Sequence, residues 1–141
     1  LAYDKYKTGY TNNFKQVRET TLQEILTNAD IISLHLPFTS ETKHLVDSDF
    51  LKKCKDGVIL INTSRGNVVK MTDLIVELKS GKVGGACLDV FENEPNPEIK
   101  ILMHPKISLT PHIGAATLEA QDRIGTELAE QVISLLKSEK V

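Results

Sequence analysis

The stretch Val58-Ile59-Leu60-Ile61-Asn62-Thr63-Ser64-Arg65-Gly66 decides the fold. A short run rich in Val, Ile and Leu that stops at a polar turn reads as a buried strand over 58–62. The same signal recurs on both sides of it, at 31–36, 83–88 and 107–109. Segments of helical spacing separate these runs, the pattern of βαβ units and a mostly parallel sheet. The expected fold class is α/β, a doubly wound parallel sheet.

Working outward, Thr21-Leu22-Gln23-Glu24 has the spacing of a capping box, and Leu22, Ile25 and Leu26 give the helix it opens an apolar face. Asp47 caps a second short helix that reaches Lys53 and stops near Gly57. Thr72 and Asp73 begin a third, which presents Leu74, Ile75 and Leu78, ends with Lys79 and has Gly81 placed for a left-handed cap. Gly84 and Gly85, inside the next strand, predict close approach by a neighbouring backbone. Residues 91–105 contain Pro95, Pro97 and Pro105 and read as a long surface loop with one helical turn around 99–103. Loops of that length are often functional. Thr117 caps a long last helix whose Ile124, Leu128, Val132, Leu135 and Leu136 fall on one face. The opening Leu1-Ala2-Tyr3-Asp4 reads as the end of a buried strand, in a chain expected to begin inside a larger protein.

The 141 residues give room for a single core. With 40% hydrophobic and 26% charged residues, the composition is that of a globular protein. No apolar run approaches the roughly 18 residues a spanning helix needs. Seventeen basic against nineteen acidic residues leave a net charge of −2, so no global field draws nucleic acid or an anionic membrane, and neither is expected as a partner. Cys54 and Cys87 lie in apolar surroundings and read as buried, reduced thiols. A cytoplasmic location is expected, and no metal site.

Three segments place polar or ionisable residues directly after strands, where an open α/β sheet gathers its ligand. They are Asn62 to Gly66, Asp89 to Pro95, and Thr110 to Gly114. Parallel strands bring such ends to one edge, so Arg65, Glu94 and His112 can converge although they are distant in sequence. A guanidinium offers a fixed fork for a carboxylate, an imidazole moves a proton near neutral pH, and a neighbouring carboxylate orients the ring and holds its charged form. Taken singly, an Arg after a strand is more often a surface ion-pair partner, and a lone His a satisfied or exposed one. Together the three point to an acid/base site for an anionic substrate.

Four ordered segments carry a resemblance: Asp30 to Pro37, Asn62 to Gly66, Gly85 through Glu94-Pro95, and Leu109 to Gly114. With them the chain resembles the NAD-dependent D-isomer-specific 2-hydroxyacid dehydrogenases, a family that includes D-3-phosphoglycerate and D-lactate dehydrogenases. The resemblance implies that Arg65 binds the substrate carboxylate, that His112 is the general acid/base and that Glu94 is its partner. It also implies that Asp89 lies near the nicotinamide carboxamide, that His35, Pro37 and Thr63 line the cofactor cleft, and that Asp4 takes the adenosine ribose hydroxyls. An acidic residue there repels a 2′-phosphate and favours NAD over NADP.

By the same resemblance the fold is an incomplete Rossmann-like sheet lacking the first strand and the Gly-rich loop. Residues 1–115 would be a partial NAD-binding domain, and 116–141 a long helix leading toward an absent substrate domain. The implied reaction is hydride transfer between NAD(H) and a D-2-hydroxy acid or its 2-oxo acid, with 3-phospho-D-glycerate favoured and a homodimer expected. D-lactate, glyoxylate and hydroxypyruvate remain alternatives, as does a corepressor-like protein that senses dinucleotides. Glu94 argues against formate, because related formate dehydrogenases carry a neutral Gln there.

Overall fold

The computed structural model describes residues 1–9 and 16–138. Its elements follow as α1 (Leu22–Asn28), β1 (Ile31–Leu34), α2 (Ser48–Lys53), β2 (Val58–Asn62), α3 (Met71–Ser80), β3 (Val83–Leu88), α4 (Ile99–Leu102), β4 (Ile107–Leu109) and α5 (Leu118–Ser138). A single 3-10 turn at Gly66–Val68 sits between β2 and α3. The four strands form one parallel sheet in the order β1-β2-β3-β4. The α/β, Rossmann-type class expected from the strand and helix pattern is the one observed.

Register places Leu34, Asn62, Leu88 and Leu109 in one row across the sheet, at the carboxyl ends of all four strands. Alternation along the strands then assigns the faces. Ile32, Leu34, Val58, Leu60, Ala86 and Leu88 are buried in a core with Leu26, Phe50, Leu51, Leu74 and Leu78 from the helices. Ile31, Ser33 and Cys87, pointing the other way, are exposed. Helices α1 to α4 thus pack on one side of the sheet, and Ile31, Ser33 and Cys87 are exposed on the other.

Local signals explain most boundaries. Asp47 accepts from the Phe50 N–H at 2.9 Å and Thr117 from the Ala120 N–H at 3.2 Å, as N-caps should. Gly81 takes the left-handed φ of 86° that ends α3. At Gly84 a Cβ would stand 2.5 Å from the Gly57 carbonyl oxygen, which is the close approach expected of a glycine within a strand.

Four expectations need correction. The first strand ends at Leu34 and not Leu36, because its partner β2 ends at Asn62, opposite Leu34, and leaves nothing for residues 35–36 to pair with. The capping box at α1 is half formed: Thr21 accepts from the Glu24 N–H at 3.2 Å, but the Glu24 carboxylate turns away to the Arg18 guanidinium at 2.5 Å and to the Thr20 hydroxyl. A full positive charge outbids a neutral N–H, and the Arg18 and Thr20 bonds pull the Glu24 pKa down to about 2. Cys54 is buried as expected, whereas Cys87 is exposed because it points to the open side of β3. Finally, Leu1 and Tyr3 are exposed, and residues 1–4 contribute one parallel bridge, Ala2 to Glu19, outside the four-stranded sheet.

The long helix α5 has the expected stripe, and the stripe is solvent-facing, with Leu128 59% and Leu136 60% exposed. No helix among the described residues is long and apolar enough to cross a membrane.

Candidate active site

Each strand of the sheet hands its next residues to the same edge. His35 follows β1, Thr63 follows β2, Asp89 follows β3 and Thr110 follows β4. This alignment follows from parallel pairing, and it turns residues scattered over the chain into one rim.

The turn after β2 is built by Asn62, which is fully buried. Its side-chain amide donates to the Arg65 carbonyl at 3.1 Å, and its Oδ1 accepts from the Ser64 N–H at 3.1 Å and the Ser64 hydroxyl at 2.8 Å. Burying an amide is tolerable because both ends are satisfied. The backbone that carries Arg65 is thereby fixed, while its side chain stays exposed and donates to the Ser64 carbonyl at 2.7 Å. Arg65 is bonded to neither Glu94 nor His112 among the described residues.

Glu94 and His112 are brought together. Glu94 Oε2 lies 2.6 Å from His112 Nδ1, and Glu94 Oε1 accepts from the Phe91 N–H at 2.7 Å. Partial burial alone would raise the Glu94 carboxyl, but the His112 bond and charge and the Phe91 N–H outweigh it and hold the group below its ordinary range. His112 itself sits at a left-handed φ of 56°, which turns its ring toward Glu94. A cavity of about 410 Å³ opens beside the pair, walled by Phe91, Pro95, Leu109 and Pro111.

Asp89 has a role the sequence did not disclose. Its Oδ1 accepts from the Thr110 hydroxyl at 2.6 Å and the Ile113 N–H at 2.9 Å, and its Oδ2 from the Gly114 N–H at 3.0 Å. The two backbone bonds grip the residues just after His112, so this nearly buried carboxylate aims the imidazole from behind. Burial works to raise its pKa, yet the bonds from Thr110, Ile113 and Gly114 and the nearby His112 together bring it below the ordinary value of 3.8. The unfolded chain therefore binds this proton more readily than the folded one. The stabilisation is complete above the unfolded pKa and is lost as pH falls through the folded one. Urea unfolding from pH 7 down to pH ~2 is expected to show Asp89→Asn losing less stability on acidification than the wild type. Equal pH slopes would show that Asp89 is not the group responsible.

Of the remaining candidates, His35, Pro37 and Thr63 follow β1 and β2 at that edge, whereas Asp4 lies outside the four-stranded sheet. His35 is exposed, with Nε2 2.9 Å from the Ser33 hydroxyl. Thr63 lines a small cleft with Cys87, Asp89 and Thr110. The Pro37 carbonyl accepts from the Thr42 hydroxyl at 2.7 Å and shapes the loop after β1. Asp4 caps its own turn, its Oδ1 accepting from the Tyr6 N–H at 2.8 Å and the Lys7 N–H at 3.0 Å.

The segments bearing Arg65 and Glu94 touch at Gly66. A Cβ there would lie 1.8 Å from the Phe91 carbonyl oxygen and 2.7 Å from the Glu92 nitrogen, both of them backbone atoms that cannot swing aside. Gly66→Ala is expected to destabilise the chain by about 1–3 kcal/mol or more through forced backbone separation. A lowered urea midpoint at unchanged m checks this, and an unshifted midpoint refutes the contact.

Comparison with known proteins adds an independent line. A D-3-phosphoglycerate dehydrogenase of Bacillus subtilis (strain 168) is 43% identical over 96% of this chain and 26% of its own length. A hydroxypyruvate reductase of Thermotoga maritima is 45% identical over 96% of this chain and 44% of its own length. The crystal structure of a D-lactate dehydrogenase from Aquifex aeolicus, complexed with NAD and lactic acid, superposes with a TM-score of 0.77 at 35% identity, covering 96% of this chain and 45% of that one. The chain therefore spans between about a quarter and under half of these relatives. Residues 1–114 match the family model described as "D-isomer specific 2-hydroxyacid dehydrogenase, NAD binding domain". The parallel sheet, the strand-end rim and this match over most of the sequence together make the chain a member of that NAD-binding domain family.

Proposed function

We propose that this domain serves an enzyme that interconverts a D-2-hydroxy acid and its 2-oxo acid with NAD(H). The observation that carries the reading is the 2.6 Å contact between Glu94 and His112 Nδ1. With Nδ1 engaged by a carboxylate, Nε2 is the nitrogen left to exchange a proton with substrate. His112 donates that proton to the carbonyl oxygen during reduction and takes it from the hydroxyl during oxidation. Glu94 orients the ring for that exchange. Arg65, exposed at the same rim with most of its donors uncommitted, holds the substrate carboxylate by a forked pair of bonds and polarises the adjacent oxo group.

The residues present fit the dinucleotide. Oδ2 of Asp4 takes no bond within the turn and can accept from a ribose diol, while its charge disfavours a 2′-phosphate. Asp89, Thr63, His35 and Pro37, which follow the strand ends, would hold the nicotinamide end of the dinucleotide. When bound, the nicotinamide supplies or accepts the hydride, and the chain's task is to hold it against the reacting carbon.

The exposed stripe of α5 supports a division into a nucleotide-binding part over 1–115 and a helix over 116–141 that meets a substrate domain. A homodimer, on family resemblance, and a cytoplasmic location, on the free Cys54 and Cys87, complete the proposal. Among substrates 3-phospho-D-glycerate is favoured, supported by the identity to phosphoglycerate dehydrogenases, with hydroxypyruvate and glyoxylate next. The test is NADH oxidation by the full-length parent protein against a panel of 2-oxo acids that includes 3-phosphohydroxypyruvate. Fastest turnover with that compound supports the whole reading, and a preference for another 2-oxo acid moves the substrate assignment only. Tight NADH binding with no turnover would replace the enzyme with a dinucleotide sensor.

A further inference from the structure

Among the described residues two non-glycine residues adopt positive φ, and both are histidines: His112 at 56° and His44 at 52°. Each gives a ring nitrogen to a glutamate of the same short segment, Glu92-Asn93-Glu94. His112 Nδ1 lies 2.6 Å from Glu94, and His44 Nε2 lies 2.7 Å from Glu92 Oε1. The second pair belongs to none of the roles assigned above.

What that pair joins is informative. The His44 N–H donates to the Asn67 carbonyl at 2.8 Å, and two residues on, Val46 pairs with Val69 in a parallel bridge. The loop after β1 is thus stitched to the turn after β2 just beyond Arg65. Glu92, from the segment after β3, bonds His44 through Oε1 and through Oε2 accepts from the Met71 N–H at 3.3 Å, the first turn of α3, which has no side-chain cap of its own. One carboxylate therefore ties three strand-end segments, and it sits one peptide from Phe91, whose N–H holds Glu94.

The two side chains are 32% and 24% exposed, so the contact is half-buried where the segments meet. A left-handed φ on a side-chain-bearing residue costs stability all the same. Residues held in such a conformation by their surroundings gather where placement matters more than stability.

The geometry points to His44 and Glu92 as positioning residues that clamp the Phe91–Glu94 segment against the Arg65 turn and so set where the catalytic pair stands relative to the carboxylate-binding guanidinium. This rests on the dehydrogenase reading for its kinetic consequence, though not for the clamp itself. Neither residue touches substrate. Their effect passes through Glu94 and Arg65, as a small misplacement of groups that must meet the reacting atoms in register.

The deciding variant is His44→Gly in the full-length protein, because glycine welcomes the left-handed backbone while deleting the ring. Expected are a melting temperature near that of the wild type, unchanged NADH affinity, and a kcat for the 2-oxo acid lowered about 10- to 100-fold. Glu92→Ala should behave likewise, and Glu92→Gln, whose amide oxygen can accept from the Met71 N–H while its NH2 donates to His44 Nε2, should recover most of the loss. Hydrogen exchange at the Phe91 amide, followed by mass spectrometry, should quicken in His44→Gly and Glu92→Ala but not in Glu92→Gln. Wild-type kcat together with unchanged Phe91 exchange in His44→Gly would overturn the inference. If the wild type turns over no 2-oxo acid, the dehydrogenase reading fails by itself. Phe91 exchange then decides the clamp alone, faster exchange upholding it and unchanged exchange removing it. Should His44→Gly not fold, the contrast between Glu92→Ala and Glu92→Gln carries the same decision.

Discussion

Replacing His112 by Asn in the full-length protein is expected, on the proposed function, to lower kcat for 2-oxo acid reduction by about 10²- to 10⁴-fold, the range attributable to a positioned acid/base group. Asn is the informative choice because position 112 has a φ of 56°, a conformation that Asn tolerates and Ala does not. The variant then keeps the grip of Asp89 on Ile113 and Gly114 and removes only the proton carrier. NADH binding should remain close to wild type, since His112 is assigned to the substrate side of the rim. Glu94→Gln should fall between the two, because its single amide oxygen can accept from the ring or from the Phe91 N–H but not from both. Stopped-flow measurement of the hydride step separates this loss from slow product release. A His112→Asn enzyme within a few-fold of wild type in that step would remove His112 from the chemistry and leave Glu94 without its assigned partner.

Arg65→Ala is the second large effect, and it should fall on a different constant. Deleting one member of a charge-assisted pair costs about 2–5 kcal/mol, which corresponds to roughly 30- to several thousand-fold in kcat/KM. Much of it should appear as a raised KM for the oxo acid, because in the proposed reading the fork holds the substrate carboxylate before and during reaction. Arg65→Lys keeps the charge without the planar fork and should recover part of the loss. Folding should be spared, since the turn is held by the buried Asn62 through the backbone and not by the guanidinium. If Arg65→Ala leaves the KM for every 2-oxo acid unchanged, the guanidinium does not bind the substrate carboxylate.

What was readable in the sequence and what was not divides along physical lines. Strand cores and helix caps are local: Val58 to Ile61, Asp47, Gly81 and Thr117 announced their roles because each acts on neighbours within a few residues. The convergence of Glu94 and His112 was also within reach, because parallel strands gather their ends. Other features depend on contacts that no spacing encodes. Glu24 had the position of a capping carboxylate and was taken by Arg18 from the opposite direction. Asp89 stood at a strand end, the place of a cofactor contact, and its grip on the His112 loop depends on partners more than twenty residues away. His44 and Glu92, forty-eight positions apart, carried no signal beyond an isolated His and one more acid in an acidic run. Cys87 looked buried by composition, and only the direction of its side chain on β3 placed it outside the core.

The common row in which the four strands end has a consequence for how such a domain can change over time. Leu34 and Asn62 close their strands as buried residues, and the residues that follow, His35 and Thr63, are exposed at the rim. Inheritance of the fold and inheritance of the ligand surface are therefore written on adjoining positions of the same few segments. A substitution just past the row can retune what the rim accepts while the packing beneath is left intact. One step back along the chain, the same substitution would strike the interior. A lineage can thus explore new ligands by single replacements at strand ends, carrying an unaltered interior from one specificity to the next.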